Sequence, residues 1–80
     1  MFVAVPSTLL AEHERAAVQA DRLDELVAGH RAAAQRRIDE RLAQGFSLAE
    51  ALRFAAADLQ AARRAAVMRD VTRMEVRELL

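Results

Sequence analysis

From Ser7 onward, apolar and small residues fall three and four apart: Leu9, Ala16, Ala20, Leu23, Val27, Ala34, Ile38 and Leu42. Steps of this size gather on one side of an α-helix, so the pattern predicts one amphipathic helix over residues 7–44. Pro6 suits the position just ahead of a helix, and Ser7 or Thr8 can cap its first free N–H groups. Gly45 stands where a left-handed C-terminal cap is expected. Close behind it, Ser47-Leu48-Ala49-Glu50 has the spacing of a capping box, with serine at the N-cap and glutamate at N3. A stop signal and a start signal this close define a tight turn over residues 45–47.

A second helix is expected over residues 48–80. One stripe on it, Leu48, Leu52, Ala55, Leu59, Ala62 and Ala66, is expected to face the first helix. Another stripe, Phe54, Ala61, Ala65, Met68, Thr72 and Leu79, lies on a different face. Each helix exceeds thirty residues, roughly 50 Å at 1.5 Å per residue, a length typical of hairpins and coiled coils. The expected fold is all-α: an antiparallel two-helix hairpin, one helical domain over residues 1–80, associating into a four-helix bundle. Residues 1–6 form a short apolar leader, Phe2–Val5, bounded by Pro6. The weak point of the first helix is Gly29-His30. Glycine costs about 1 kcal/mol in a helix interior relative to alanine. It either admits a close approach of Ala61-Ala62 or breaks the helix, and a break near Gly29 gives the alternative of a three-helix bundle.

Charge supports the pairing. Residues 7–30 are acidic, with Glu12, Glu14, Asp21, Asp24 and Glu25 against Arg15 and Arg22, whereas residues 63–80 are rich in arginine. A turn at Phe46 sets these halves side by side. The helix dipole favours the same distribution, acid near N-termini and base near C-termini.

Two packed helices bury one seam each. Phe54, Met68 and Leu79 on the second stripe, and Leu26 beside the main stripe of helix one, are then left without cover and are the expected partner-binding residues. A second copy of the chain, or a helix of another protein, would cover them. Eighty residues make a small core, and no cysteine is present to staple it, which also favours association.

The rest of the composition mainly excludes. Twelve basic residues, all arginine, balance twelve acidic ones. Phosphate binding usually brings a basic excess, so this balance weighs against nucleic acid. The alternative reading is a small DNA-binding regulator using Arg63, Arg64, Arg69, Arg73 and Arg77 as a ridge, with the turn in a helix-turn-helix role. Asp70, Glu75 and Glu78 interrupt that ridge. His13 and His30 lie seventeen residues apart, roughly 25 Å along one helix, and cannot share a metal within one chain. No Gly-rich phosphate loop exists, and Ser7 and Ser47 are better explained as caps than as nucleophiles. No catalytic, metal or cofactor site is therefore expected, nor an enzyme. No apolar run reaches the length of a membrane span and the N-terminus lacks the form of a secretory signal, so the expected location is the cytoplasm.

The segment Arg36-Arg37-Ile38-Asp39-Glu40-Arg41-Leu42-Ala43-Gln44-Gly45, followed by a long helix rich in Ala, Leu and Gln, resembles the small helical-hairpin co-chaperones of type III secretion needles. The resemblance covers the turn and its flanks, about half the chain; the acidic first helix and the Phe2–Val5 leader fall outside it. It implies a cytoplasmic protein without enzymatic activity that holds an aggregation-prone needle subunit. Resemblance aside, the residues point to a helical interaction module acting as a small chaperone, adaptor or assembly subunit through apolar helix faces.

Overall fold

The computed structural model describes the backbone of residues 7–79 and the side chains of residues 10–78. The Phe2–Val5 leader and the hydroxyls of Ser7 and Thr8 lie outside them. Three α-helices and no strand occur among the described residues: α1 (Ser7–Ala43), α2 (Leu48–Phe54) and α3 (Ala56–Leu79).

The turn forms as its residues dictate. Gly45 has φ +94°, the left-handed region that glycine enters without a Cβ penalty. Phe46 N–H donates to the Arg41 carbonyl at 3.0 Å and Gly45 N–H to the Leu42 carbonyl at 3.1 Å. This pair of bonds is the Schellman closure of α1. Ser47 then caps α2. Its Oγ accepts from Glu50 N–H at 3.2 Å, and Glu50 Oε1 accepts from Ser47 N–H at 3.2 Å. Arg41 braces the corner: its guanidinium lies 4.1 Å from the Phe54 ring centre and donates to Gln44 Oε1 at 3.0 Å. Phe46 meets Phe54 edge-on, with ring centres 5.2 Å apart.

The second arm differs from its expected form. It is divided at Ala55 into α2 and α3, so there are three helices and not two. Ala55 has φ −91° and ψ −1°, yet its N–H still reaches the Ala51 carbonyl and its carbonyl still accepts from Leu59 N–H. The break is one residue deep, and Ala55-Ala56-Ala57 contains no proline or glycine to mark it. α1, in contrast, runs unbroken through Gly29, so the break expected there as an alternative does not occur. Nor does Gly29 admit Ala61-Ala62: a Cβ built at position 29 meets nothing within 4 Å. That face of α1 points to open space.

α1 packs along α3 and, near the turn, along α2. Arg37, late in α1, pairs with Asp58, and the earlier Asp24 pairs with the later Arg69, so the arms are antiparallel. The Cα trace measures 70 × 14 × 13 Å, one helix pair thick.

The contact line is mostly alanine. α1 contributes Ala20, Leu23, Val27 and Ala34; α2 and α3 contribute Ala51, Ala55, Ala62 and Ala65. On α1 these are members of the expected stripe. On the second arm Ala55 and Ala62 of the expected stripe are in the seam, but the leucines need correction: Leu48, Leu52 and Leu59 stand beside it, with Leu48 at 58% exposure. Positions 51, 55, 58, 62, 65, 69, 72 and 76 advance by alternating fours and threes, the seven-residue rhythm that keeps a long helix pair in contact. The leucine stripe lies about 80° round the helix from that line at 3.6 residues per turn. Small side chains let the arms close, and bulkier ones are displaced to the flanks.

The two glycines should respond in opposite directions to alanine. Gly29→Ala, in an open helical site, should stabilise by about 1 kcal/mol. Gly45→Ala, forced to positive φ, should cost roughly 1–2 kcal/mol. Chemical denaturation followed by circular dichroism would measure both; equal signs would contradict the backbone described at one of the sites.

Candidate interaction surface

Two charged residues occupy the seam of the second arm, and both are paired across it. Arg69 Nη1 donates to Asp24 Oδ1 at 2.7 Å, and Arg73 Nη2 donates to Asp24 Oδ2 at 2.6 Å. Arg69 Nε donates to Asp70 Oδ1 at 3.1 Å as well. One carboxylate on α1 is thus held by two arginines one turn apart on α3. Hydrogen bonding to Arg69 is the largest influence on the Asp24 carboxyl; desolvation opposes it, and the added bond and charge of Arg73 help keep the group below its ordinary pKa. Bonds to Asp24 and Asp70 raise Arg69 in turn. Nearer the turn, Arg37 Nε lies 2.7 Å from Asp58 Oδ2. Asp58 Oδ2 is buried and receives no well-directed hydrogen bond, so proximity of charge alone links this pair. Together the two clamps set the register. They place Leu26 level with Met68, and Leu42 level with Leu52.

Helix geometry sorts the remaining side chains into flanks. On one flank of the seam lie Leu48, Leu52 and Leu59 of the second arm, with Leu42 of α1; all four are exposed. On the other lie Phe54, Ala61 and Met68, with Leu26 of α1. Val67, Val71 and Met74 make a third stripe on the outer side of α3, away from α1. One surface concavity is lined only by α1 residues, among them Ala11, Val18 and Arg22, and is a dent in one helix rather than an enclosed site.

The expected partner residues are therefore not scattered. Leu26 and Met68 are exposed and share one flank and one level, with Ala61 on the same flank seven residues nearer the turn. Phe54 belongs to the same flank but sits under Arg41 and against Phe46, which makes it part of the corner as well as of the surface. The side chain of Leu79 lies outside the described residues.

The arginine ridge of the alternative reading is divided. Arg69 points into the seam, Arg73 and Arg77 turn progressively onto the leucine flank with Arg63, and Arg64 lies on the opposite side of α3. Arg69 and Arg73 are both committed to Asp24. Among the described residues, no group of three or more His, Cys, Asp or Glu side chains converges on a metal position, and no helix is long and apolar enough to cross a membrane. His13 lies along the edge of the seam with Nε2 buried and unpartnered among the described residues.

Opposite charge on facing halves was visible in the sequence; the choice of Asp24 as the carboxylate that takes two arginines was not. The Arg37–Asp58 pair and the leucine flank were missed. Asp58 stands on the seven-residue rhythm with the alanines, and that rhythm was the available signal. No family model, curated protein or solved structure matches this chain.

A folded pKa below the unfolded value means that Asp24 adds stability above the ordinary carboxylate pKa, about 3.9, and loses it as pH falls through the lowered folded value. Asp24→Asn should thus be less stable than the native chain at pH 7, and the difference should narrow below about pH 4. Denaturant midpoints across this range give the answer. A difference that stays constant with pH would mean that Asp24 acts by shape and not by charge.

Proposed function

We propose that this chain is a non-enzymatic helical interaction module, a small adaptor, chaperone or assembly subunit, built as a hairpin that completes a larger helical bundle with other chains. The observation that carries the reading is the choice of what is buried. The seam consumes alanines, and twelve large apolar side chains stay at 39% exposure or more. Burying a single methyl contributes roughly 0.8 kcal/mol, against roughly 1.5–3 kcal/mol for a whole leucine or methionine side chain. About half of the surface of these twelve side chains is thus left for contact with something else.

The flank carrying Leu26, Ala61 and Met68 is the proposed seat for a helix of a partner protein. Leucine and methionine on opposite arms stand as walls at one level, and the small Ala61, seven residues or roughly 10 Å nearer the turn, leaves room beyond them. An amphipathic helix laid along such a strip would be anchored at three- and four-residue intervals. Methionine adapts to partners of different shape, which suits a chaperone or adaptor. The resemblance of residues 36–45 and the following helix to needle co-chaperones is one concrete form of this reading, with an aggregation-prone helical subunit as the partner. The division of the arginine ridge, with two of its members bound to Asp24, favours protein over nucleic acid.

A photo-crosslinking amino acid at Met68, introduced in the protein's own cells, tests the proposal. The expected result is an adduct with a different polypeptide, identified by mass spectrometry. With the probe moved to Leu26, Met68→Glu should lower the yield about tenfold or more, since a carboxylate would be buried without a partner. No adduct, or adducts between copies of this chain alone, would overturn the assignment of this flank.

A further inference from the structure

The flank of Leu26 and Met68 carries three arginines that no acid within the chain claims. Its inner row consists of level pairs facing each other across the seam, Leu26 with Met68 and Ala33 with Ala61. Outside them stands a second row, where Arg22 is level with Val71, Gly29 with Arg64, and Arg36 with Ala57. Each exposed arginine thus faces a small or apolar residue on the other arm, and the sides alternate at seven-residue steps, roughly 10 Å. Arg22, Arg36 and Arg64 make no ion pair among the described residues. The neighbouring acids stand outside these rows: Glu40 and Glu75 bound the strip at its two ends, and Glu25 and Asp39 lie on the back of α1. Over the roughly 20 Å between Arg22 and Arg36, the two rows hold three positive charges and no negative one.

The strip is also shaped to receive a helix. Ala33 and Ala61 are half-buried between exposed neighbours, and a Cβ at Gly29 would meet nothing, so the middle is low and open. Toward the turn, a concavity of about 310 Å³ is lined from both arms by Ala33, Arg36, Arg37, Glu40, Arg41 and Phe54. With Arg37 paired to Asp58, Arg36 and Arg41 still outnumber Glu40 there.

We propose that the partner helix seated on this flank is acidic along both edges. It is apolar where it meets Leu26, Met68, Ala33 and Ala61, and bears carboxylates on the two sides that meet Arg22, Arg36 and Arg64. This rests on the interaction-module reading above and names the chemistry of its partner. A third helix laid between two others presents its a and d positions to the floor and its e and g positions to the rims. Acids at e and g, recurring every seven residues, come level with the arginines. The apolar floor supplies affinity, and the arginines choose the sign of charge and the register. A phosphate backbone would use the arginines but not the apolar row between them. A second copy presenting this same flank would bring only like charge to the rims.

Two peptides of three heptads decide the sign. Both have leucine at a and d; one has glutamate at e and g, the other lysine. The expected result, by fluorescence anisotropy with the intact chain, is micromolar binding of the acidic peptide and at least tenfold weaker binding of the lysine peptide. Arg36→Glu combined with Arg64→Glu should reverse that order with helicity unchanged, whereas Arg63→Glu, on the leucine flank, should not. Equal binding of the two peptides overturns the acidic partner; if Met68→Glu then abolishes both, the apolar seat itself still stands. No binding of the acidic peptide at about 1 mM also overturns it, and a Met68 adduct with another protein would keep the interaction-module reading. Two further results overturn it: a DNA duplex bound through Arg64 but indifferent to Met68→Glu, and a homodimer dispersed by Met68→Glu.

Discussion

Alanine at the line of contact, locked in register by Asp24 between Arg69 and Arg73, is the constraint from which the rest of the structure follows. Small side chains bring the arms together but supply little apolar free energy, so the register is not chosen by large side chains fitting into holes. A carboxylate shared by two arginines chooses it. Once that clamp and the Arg37–Asp58 pair are made, the level of every other residue is fixed. Leu42, Leu48, Leu52 and Leu59 go to one flank, and Leu26, Phe54 and Met68 to the other. A seam of leucine would have reversed this, with a stronger core and a polar outside.

Much of this was legible in the chain, and the reason varies by feature. The turn was plain because its signals are local: glycine at positive φ and a serine–glutamate cap act within a few residues, whatever the distant partner. The stripe of α1 was legible because Ala20, Leu23, Val27 and Ala34 are apolar at the right period. The second arm misled, since it carries three adjacent stripes, and hydrophobicity alone favours the one with leucine. Packing favoured the one with alanine. Hydropathy ranks residues by their gain on burial, whereas a two-helix seam also selects for smallness. The division at Ala55 has no sequence mark, being a one-residue departure that leaves the hydrogen-bond ladder connected.

The functional surface inherits both the strength and the weakness of this logic. Leu26 and Met68 were singled out because they fell off the stripes, and helix geometry then gathered them onto one flank. Phe54 has a second duty at the corner with Arg41 and Phe46. The leucine flank escaped notice because its residues had been assigned inside. The arginines that looked like one ridge along a helix spiral around it once the seam is known. A row of charges four residues apart in sequence still drifts about 40° per step, and the contact line decides which members remain outside.

The turn carries one more consequence, for how the molecule forms. Its closing bonds and cap lie within residues 41–50, so the first contact between the arms closes almost no loop. Each later level from there outward adds only a few residues of chain to be ordered before its own contact is made. Formation of this kind resembles a zip drawn from the bend, with short steps and no long search, and helical topologies rich in such near-neighbour contacts assemble quickly. The alanines suit that process: a seam without interlocking knobs presents few wrong fits to be undone, and Asp24, more than halfway along, halts the zip at the correct tooth.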